Sequence, residues 1–214
     1  MPENYLLKIL IGDEHPVVRE GIKRVLADTY EILIADDASN TQEVLAKLSQ
    51  KKYDLVSLEI EIPGKSWLQT ISAIRNLDKG VPVLVFSSYP ENEYAVRALR
   101  AGASGYLLKS CSAEELSATV KHVVSGRKYV SCDLAERLAS NLDMTWERSP
   151  HELLSEREFE VFCMVASGKS LTEIGNRLCL SVKTISTYRS RVLEKMALKN
   201  NTDIIRYALK NRLI

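Results

Sequence analysis

Apolar runs of four to six residues and amphipathic helical stretches alternate five times within the first 126 residues. No other feature constrains the fold so strongly. Strands are expected at 6–11, 31–34, 55–60, 81–86 and 105–108, and helices at 15–28, 41–48, 67–77, 91–100 and 113–124. A strand can return to a parallel neighbour only through a crossover, so the repeat predicts a parallel sheet with helices on both faces. Several runs (LLKILI, VPVLVF) are almost free of polar residues, as expected of strands covered on both sides. The expected class is α/β, a doubly wound five-stranded sheet of flavodoxin-like type followed by a small all-α domain.

Open parallel sheets bind ligands where the strands end. At those ends stand Asp13 and Glu14, then Glu59 and Glu61 ahead of Pro63-Gly64, then Ser87 and Ser88, then Lys109 and Ser110. Carboxylates converging from separate loops make a hard oxygen site suited to magnesium. A lysine and a serine beside them suit a phosphoryl group.

The pattern weakens over 127–150, where 133–142 fits one short helix and 143–150 reads as linker. Residues 151–214 carry only helical patterns, at 156–166, 171–178, 182–196 and 202–210. Capping boxes are expected at Ser155/Glu158 and Ser170/Glu173, and a further one at Ser112/Glu115 in the first domain. Cys179-Leu180-Ser181 is a tight connection, with Ser181 as N-cap of the longer helix. Two helices joined by so short a turn form a helix-turn-helix pattern. On a helical wheel Val182, Ile185, Val192, Leu193 and Met196 share the inner arc, with Arg189 caught inside it. Lys183, Thr184, Thr187, Ser190, Arg191 and Glu194 face outward. Domains are therefore expected at 1–126 and 151–214, joined by 127–150.

The 214 residues carry a formal net charge of +1, which hides an asymmetry. From residue 151 onward, 11 Lys and Arg face 7 Asp and Glu, and over 178–214 the ratio is 8 to 2. A basic C-terminal part points to a polyanion. An apolar content of 45% excludes a disordered chain. No apolar run reaches membrane-spanning length, and the acidic residues near the start argue against a signal peptide. Cys111, Cys132, Cys163 and Cys179 lack metal-like spacing and read as small buried hydrophobes of a reducing compartment. His15, His122 and His151 fall at helix starts or on exposed faces. No glycine-rich phosphate loop is present, so a magnesium-dependent hydrolase on this sheet is the weaker alternative, as is an adaptor acting only through protein contacts.

The blocks ILIGDEHPVVREGI, YDLVSLEIEIPG, VLVFSSYP and AGASGYLLKS, followed by LSEREFEVFCMVASGKSLTEIGNRLCLSVKTISTYRSRVLEKM, resemble in order and spacing a two-component response regulator of the NarL/FixJ family. The last block is similar to a LuxR-type helix-turn-helix. The resemblance implies a cytoplasmic transcription factor rather than an enzyme, with a receiver domain, duplex DNA as partner, a homodimer, an upstream sensor histidine kinase and no membrane. It places Asp13 and Glu14 as the Mg2+-binding acid pair, Ser87 as the hydroxyl that moves toward the phosphoryl group, Lys109 as the lysine that pairs with that group, and Tyr106 as the switch aromatic. It places Ser186, Thr187 and Ser190 near bases, and Lys183, Thr184, Tyr188, Arg189, Arg191 and Lys195 near phosphates.

One departure matters. Glu59 stands where the family has its phospho-accepting aspartate, and Glu61 stands where the family uses a backbone carbonyl for the metal. The extra methylene of Glu59 pushes its carboxylate toward Lys109 and Ser87 and away from the geometry that phosphoryl transfer needs. Three consequences stay open: a built-in mimic of the phosphorylated state, a loss of phosphorylation without further effect, or phosphorylation of Glu59 itself.

Overall fold

The computed structural model describes residues 6–29, 31–140, 149–211 and 213–214. The chain divides into two compact units, Met1–Ser131 and Cys132–Ile214. The first contains β1 (Leu6–Gly12), α1 (Pro16–Ala27), β2 (Glu31–Ala38), α2 (Thr41–Gln50), β3 (Leu55–Leu58), α3 (Trp67–Leu77), β4 (Val83–Ser87), α4 (Glu91–Ala101), β5 (Gly105–Leu108) and α5 (Ala113–Val124). All strands pair in parallel, in the order β2-β1-β3-β4-β5. Helices α1 and α5 pack together, while α2 packs on α3 and α3 on α4. Leu7, Ile9 and Ile11 of β1 meet Ile22 and Leu26 of α1 and Leu116, Val120 and Val123 of α5 in one apolar layer. Successive strand side chains point to opposite faces, so Leu10 between them is buried on the other side.

Three strand boundaries differ from expectation by two residues or more. β2 runs on to Ala38, pairing Asp36 and Asp37 with Leu10 and Ile11. These acids broke the apolar pattern, yet they are met by Tyr53, Lys51 and Lys23 on the sheet margin. β3 stops at Leu58: the Glu59 amide still donates to the Gly12 carbonyl (2.8 Å), and the chain then turns at 60–61. β4 begins at Val83, since Pro82 has no N–H to give and only its carbonyl accepts, from the Val56 amide. At Ser112 only half of the expected capping box forms. The hydroxyl accepts from the Glu115 amide, but the Glu115 carboxylate takes the Tyr129 hydroxyl instead.

The second unit contains α6 (Cys132–Ser140), a 3-10 turn (Pro150–Leu153), α7 (Glu156–Ala166), α8 (Leu171–Leu178), α9 (Val182–Lys195) and α10 (Asn201–Lys210). The expected linker over 143–150 lies almost wholly outside the described residues. Both expected capping boxes on α7 and α8 are complete. Phe159, Phe162, Ile174, Ile185, Val192 and Ile204 are fully buried. Phe159 stacks on Phe162, which meets Tyr207 edge-on. His151 belongs to this cluster: it is only 5% exposed, with Nδ1 2.8 Å from the Tyr207 hydroxyl. The expectation of an exposed His151 is therefore corrected; the 3-10 turn, unmarked by periodicity, carries the ring inward. Cys132 and Cys179 are exposed, contrary to expectation, while Cys163 is buried and Cys111 half-buried; all four are free thiols. No helix among the described residues is long and apolar enough to cross a membrane.

Replacing Phe162 by alanine should destabilise the second unit by about 3–5 kcal/mol, since its ring is fully enclosed. Denaturant unfolding followed on α7 amides measures this. Burial works to raise the Glu158 carboxyl pKa, but hydrogen bonds from Lys195 and Ser155 outweigh it and hold it below the ordinary glutamate value. The resulting stabilisation is complete above that value and is lost as pH falls through the lowered folded one. Glu158→Gln should therefore flatten the acid limb of α7 and α9 hydrogen exchange.

Candidate functional site

The strand order reverses between β1 and β3, and the loops that follow these strands open there. Asp13 follows β1, with its amide on the Ala38 carbonyl (3.0 Å). Glu59 follows β3, Ser87 ends β4, and Lys109 follows β5 with its amide on the Ser87 carbonyl (2.8 Å). Asp13, Glu59 and Ser87 are buried, at 2%, 5% and 0% exposure.

The Lys109 ammonium organises the rim. It donates to Asp13 Oδ2 at 2.6 Å and forms an ion pair with Glu59 Oε2. The other Glu59 oxygen, Oε1, accepts from the Ser87 hydroxyl at 2.5 Å and from the Ile60 amide at 2.6 Å. The other Asp13 oxygen accepts from the His15 amide at 2.8 Å. Burial pulls the Lys109 pKa down, but hydrogen bonds and charge from Asp13 and Glu59 reverse this and leave it above the ordinary lysine value. Two carboxylates and one ammonium leave the cluster a net negative charge.

Tyr106 lies beneath, 1% exposed, and its hydroxyl donates to the Tyr89 carbonyl at 2.7 Å. Burial raises its pKa far above the usual phenol value, so it remains a donor. The Tyr89 amide in turn donates to the Ser87 hydroxyl, at 3.4 Å. Glu59, Ser87, the 87–90 loop and Tyr106 thus form one hydrogen-bonded chain.

Of the four carboxylates expected to converge, the structure brings together Asp13 and Glu59. Glu14 and Glu61 do not join them: the Glu14 carboxylate lies 4.0 Å from the His15 ring, and Glu61 meets Glu59 through its backbone amide, at 3.4 Å. Among the described residues no group of three or more His, Cys, Asp or Glu is arranged to hold a metal ion. The oxygens facing the would-be cation site are already turned onto Lys109, so the residues as arranged fit magnesium poorly.

In the second unit the α8–α9 turn is closed by Cys179 in the left-handed conformation (φ 54°) and by the Leu180 amide on the Gly175 carbonyl (2.9 Å). Gly175 leaves room for that turn, since a Cβ there would lie 2.8 Å from the Leu180 carbonyl oxygen. Ser181 caps α9, accepting from the Thr184 amide at 3.1 Å. Lys183, Thr187, Ser190 and Arg191 are exposed, and Thr184, Ser186 and Tyr188 half-buried. Val182, placed in the core arc by the wheel, is 45% exposed, because the packed stretch of α9 begins only at Ile185. Two of the cations are held within the unit. Arg189 Nε donates to Asn201 Oδ1 at 2.5 Å, and Lys195 Nζ to Glu158 Oε2 at 2.6 Å. Sequence reasoning missed Asn201, and saw Glu158 only as a cap, since both partners come from other helices.

Residues 9–121 match the family described as response regulator receiver domain, and 152–208 match the LuxR family of bacterial regulatory proteins. The chain is 30% identical over 210 residues to the response regulator GacA of Pseudomonas syringae, covering 98% of each. The chain belongs to the NarL/FixJ response regulators. UvrY of Escherichia coli K12 is similar at 29% identity over 97% of this chain and 96% of its own. Among solved structures, RcsB of Salmonella typhimurium shares the fold at 20% identity with a TM-score of 0.77, covering 98% and 99%. A LuxR-family response regulator from Aurantimonas matches 65% of this chain and all of its own, at 28% identity and a TM-score of 0.59. NarL/FixJ regulators are DNA-binding transcription factors rather than an enzyme family, and their receiver domains generally use magnesium for phosphorylation.

Lys109→Gln should destabilise the receiver unit by about 3–5 kcal/mol, because it strands two buried carboxylates. Adding Glu59→Gln should recover part of that loss. A double-mutant cycle in urea unfolding checks both.

Proposed function

We propose that this response regulator carries its activating charge in its own sequence. Glu59 holds the receiver in the state that phosphorylation produces elsewhere in the family. The observation that carries this is the 2.5 Å hydrogen bond from Ser87 to Glu59, made while the same carboxylate pairs with Lys109 and Tyr106 is enclosed. A glutamate contributes one negative charge where a phosphoryl group contributes about 1.5 to 2. It therefore works as a bias, in the range of about 1–3 kcal/mol typical of allosteric coupling. Magnesium is not needed to maintain this bias, since Lys109 supplies the counter-charge.

The receiver spans 1–126, the connection 127–150 and the DNA-binding domain 151–214. Helix α9 enters the major groove of duplex DNA, in the cytoplasm, with Lys183, Thr184, Ser186, Thr187, Tyr188, Ser190 and Arg191 as the contacting face. Arg189 and Lys195 take part only where their internal partners release them. Binding as a homodimer agrees with the RcsB structures of the same fold, which include dimers on DNA. A sensor kinase is not required for the active state.

In the test, Glu59→Gln lowers affinity for DNA fragments selected on the wild-type chain by about five-fold or more. Affinity unchanged in both Glu59→Gln and Glu59→Ala sinks the bias. Acetyl phosphate with magnesium leaves the wild-type mass unchanged; a phosphoryl adduct would instead make Glu59 an acceptor. Arg191→Ala weakens binding uniformly across sequences and reduces the salt slope by about 1.

A further inference from the structure

Beyond α5 the chain turns back onto the receiver. The Tyr129 amide donates to the Ser104 carbonyl at 2.9 Å, and Tyr129 forms a parallel bridge with Gly105 on the outer edge of β5. Gly105 makes this approach possible, since a Cβ there would lie 3.1 Å from Tyr129 Cβ and 3.3 Å from its carbonyl oxygen. On the α5 side the Tyr129 hydroxyl donates to Glu115 at 3.2 Å, and His122 Nε2 lies 3.0 Å from the Lys128 carbonyl. On the α4 side the Ser131 hydroxyl donates to Glu91 Oε2 at 2.6 Å and its amide to Oε1 at 3.3 Å. Residues 128–131 thus form a strap over the β5 edge, above a cavity of about 160 Å³ that Tyr106 helps to line.

The anchor at Glu91 is well placed for more than packing. It opens α4, two residues after Tyr89, whose carbonyl takes the Tyr106 hydroxyl, and four after Ser87, which donates to Glu59. Ser131 is the last residue of the first unit, immediately before α6. We propose that Glu91 is a positioning residue that couples the 87–90 loop to the strap. When Ser87 is drawn to Glu59 and Tyr106 holds the loop, Glu91 locks Ser131 and so fixes where the chain leaves the receiver for the DNA-binding unit. In the other state the loop withdraws, the two bonds to Ser131 break, and the strap peels from β5. This rests on the reading of Glu59 as a bias, and it adds the element through which that bias is transmitted.

The test uses the full chain, hydrogen exchange of residues 125–131, and affinity for a duplex enriched from a random-sequence pool on the wild-type protein. Ser131→Ala and Glu59→Gln should each speed exchange in the strap and weaken binding by about five-fold. The double variant should bind no more weakly than the weaker single, because both break one chain of contacts. Ser131→Thr, which keeps the hydroxyl, should restore both readouts, as a merely structural role would not require. If Glu59→Gln lowers affinity while strap exchange stays as in the wild type, the bias stands and the relay through Glu91 falls. If Glu59→Gln changes neither readout, both fall. Fully additive losses in the double variant also overturn the relay.

Discussion

A single ammonium group holds the rim of the sheet together. Lys109 lies between two carboxylates from different strands, and without it Asp13 and Glu59 would be two like charges enclosed in protein. Burial of an unpaired charge is costly, so the pairing is what allows both carboxylates to be enclosed. Everything else follows from where Glu59 is thereby held. One oxygen is committed to lysine, which leaves the other for the Ser87 hydroxyl and the Ile60 amide. The buried carboxylate oxygens are therefore met from within, by lysine, serine and backbone amides.

Much of this was legible beforehand because the alternation of apolar runs and amphipathic stretches places the strands, if not always their last residues. Alternation in the first unit and helical periodicity in the second located the five strands and ten α-helices of the described residues, and the rule that ligands gather at strand termini picked out Asp13, Glu59, Ser87 and Lys109. The pattern did not show which carboxylates would meet. Glu14 and Glu61 stand one and two residues from members of the cluster, and distance along the sequence does not tell which carboxylates a turning backbone brings together. The β2 boundary failed for a related reason. Asp36 and Asp37 look like a strand end, and partners distant in sequence, Tyr53 and Lys51 for the first and Lys23 and Arg19 for the second, make them compatible with the sheet.

The helical unit shows the same division. Caps are local, and Ser155, Ser170 and Ser181 mark their helices as the sequence suggests. The fates of Arg189 and Lys195 are not local. Their partners, Asn201 and Glu158, lie 12 and 37 residues away. A wheel assigns a side chain to a face but not to a partner, which is why it left Arg189 unexplained and put Val182 inside.

The strap has a consequence for colloidal behaviour. A parallel sheet of five strands exposes two margins, and an open margin invites pairing with a stray strand from another molecule. Here the β5 margin is occupied by the chain's own Tyr129. The β2 margin carries two aspartates and is kinked by a register shift where Leu7 gives way to Lys8 opposite it. The same few residues that end the first compact unit thus also shield it from edge-to-edge aggregation, and a chain truncated before residue 128 would lose that protection.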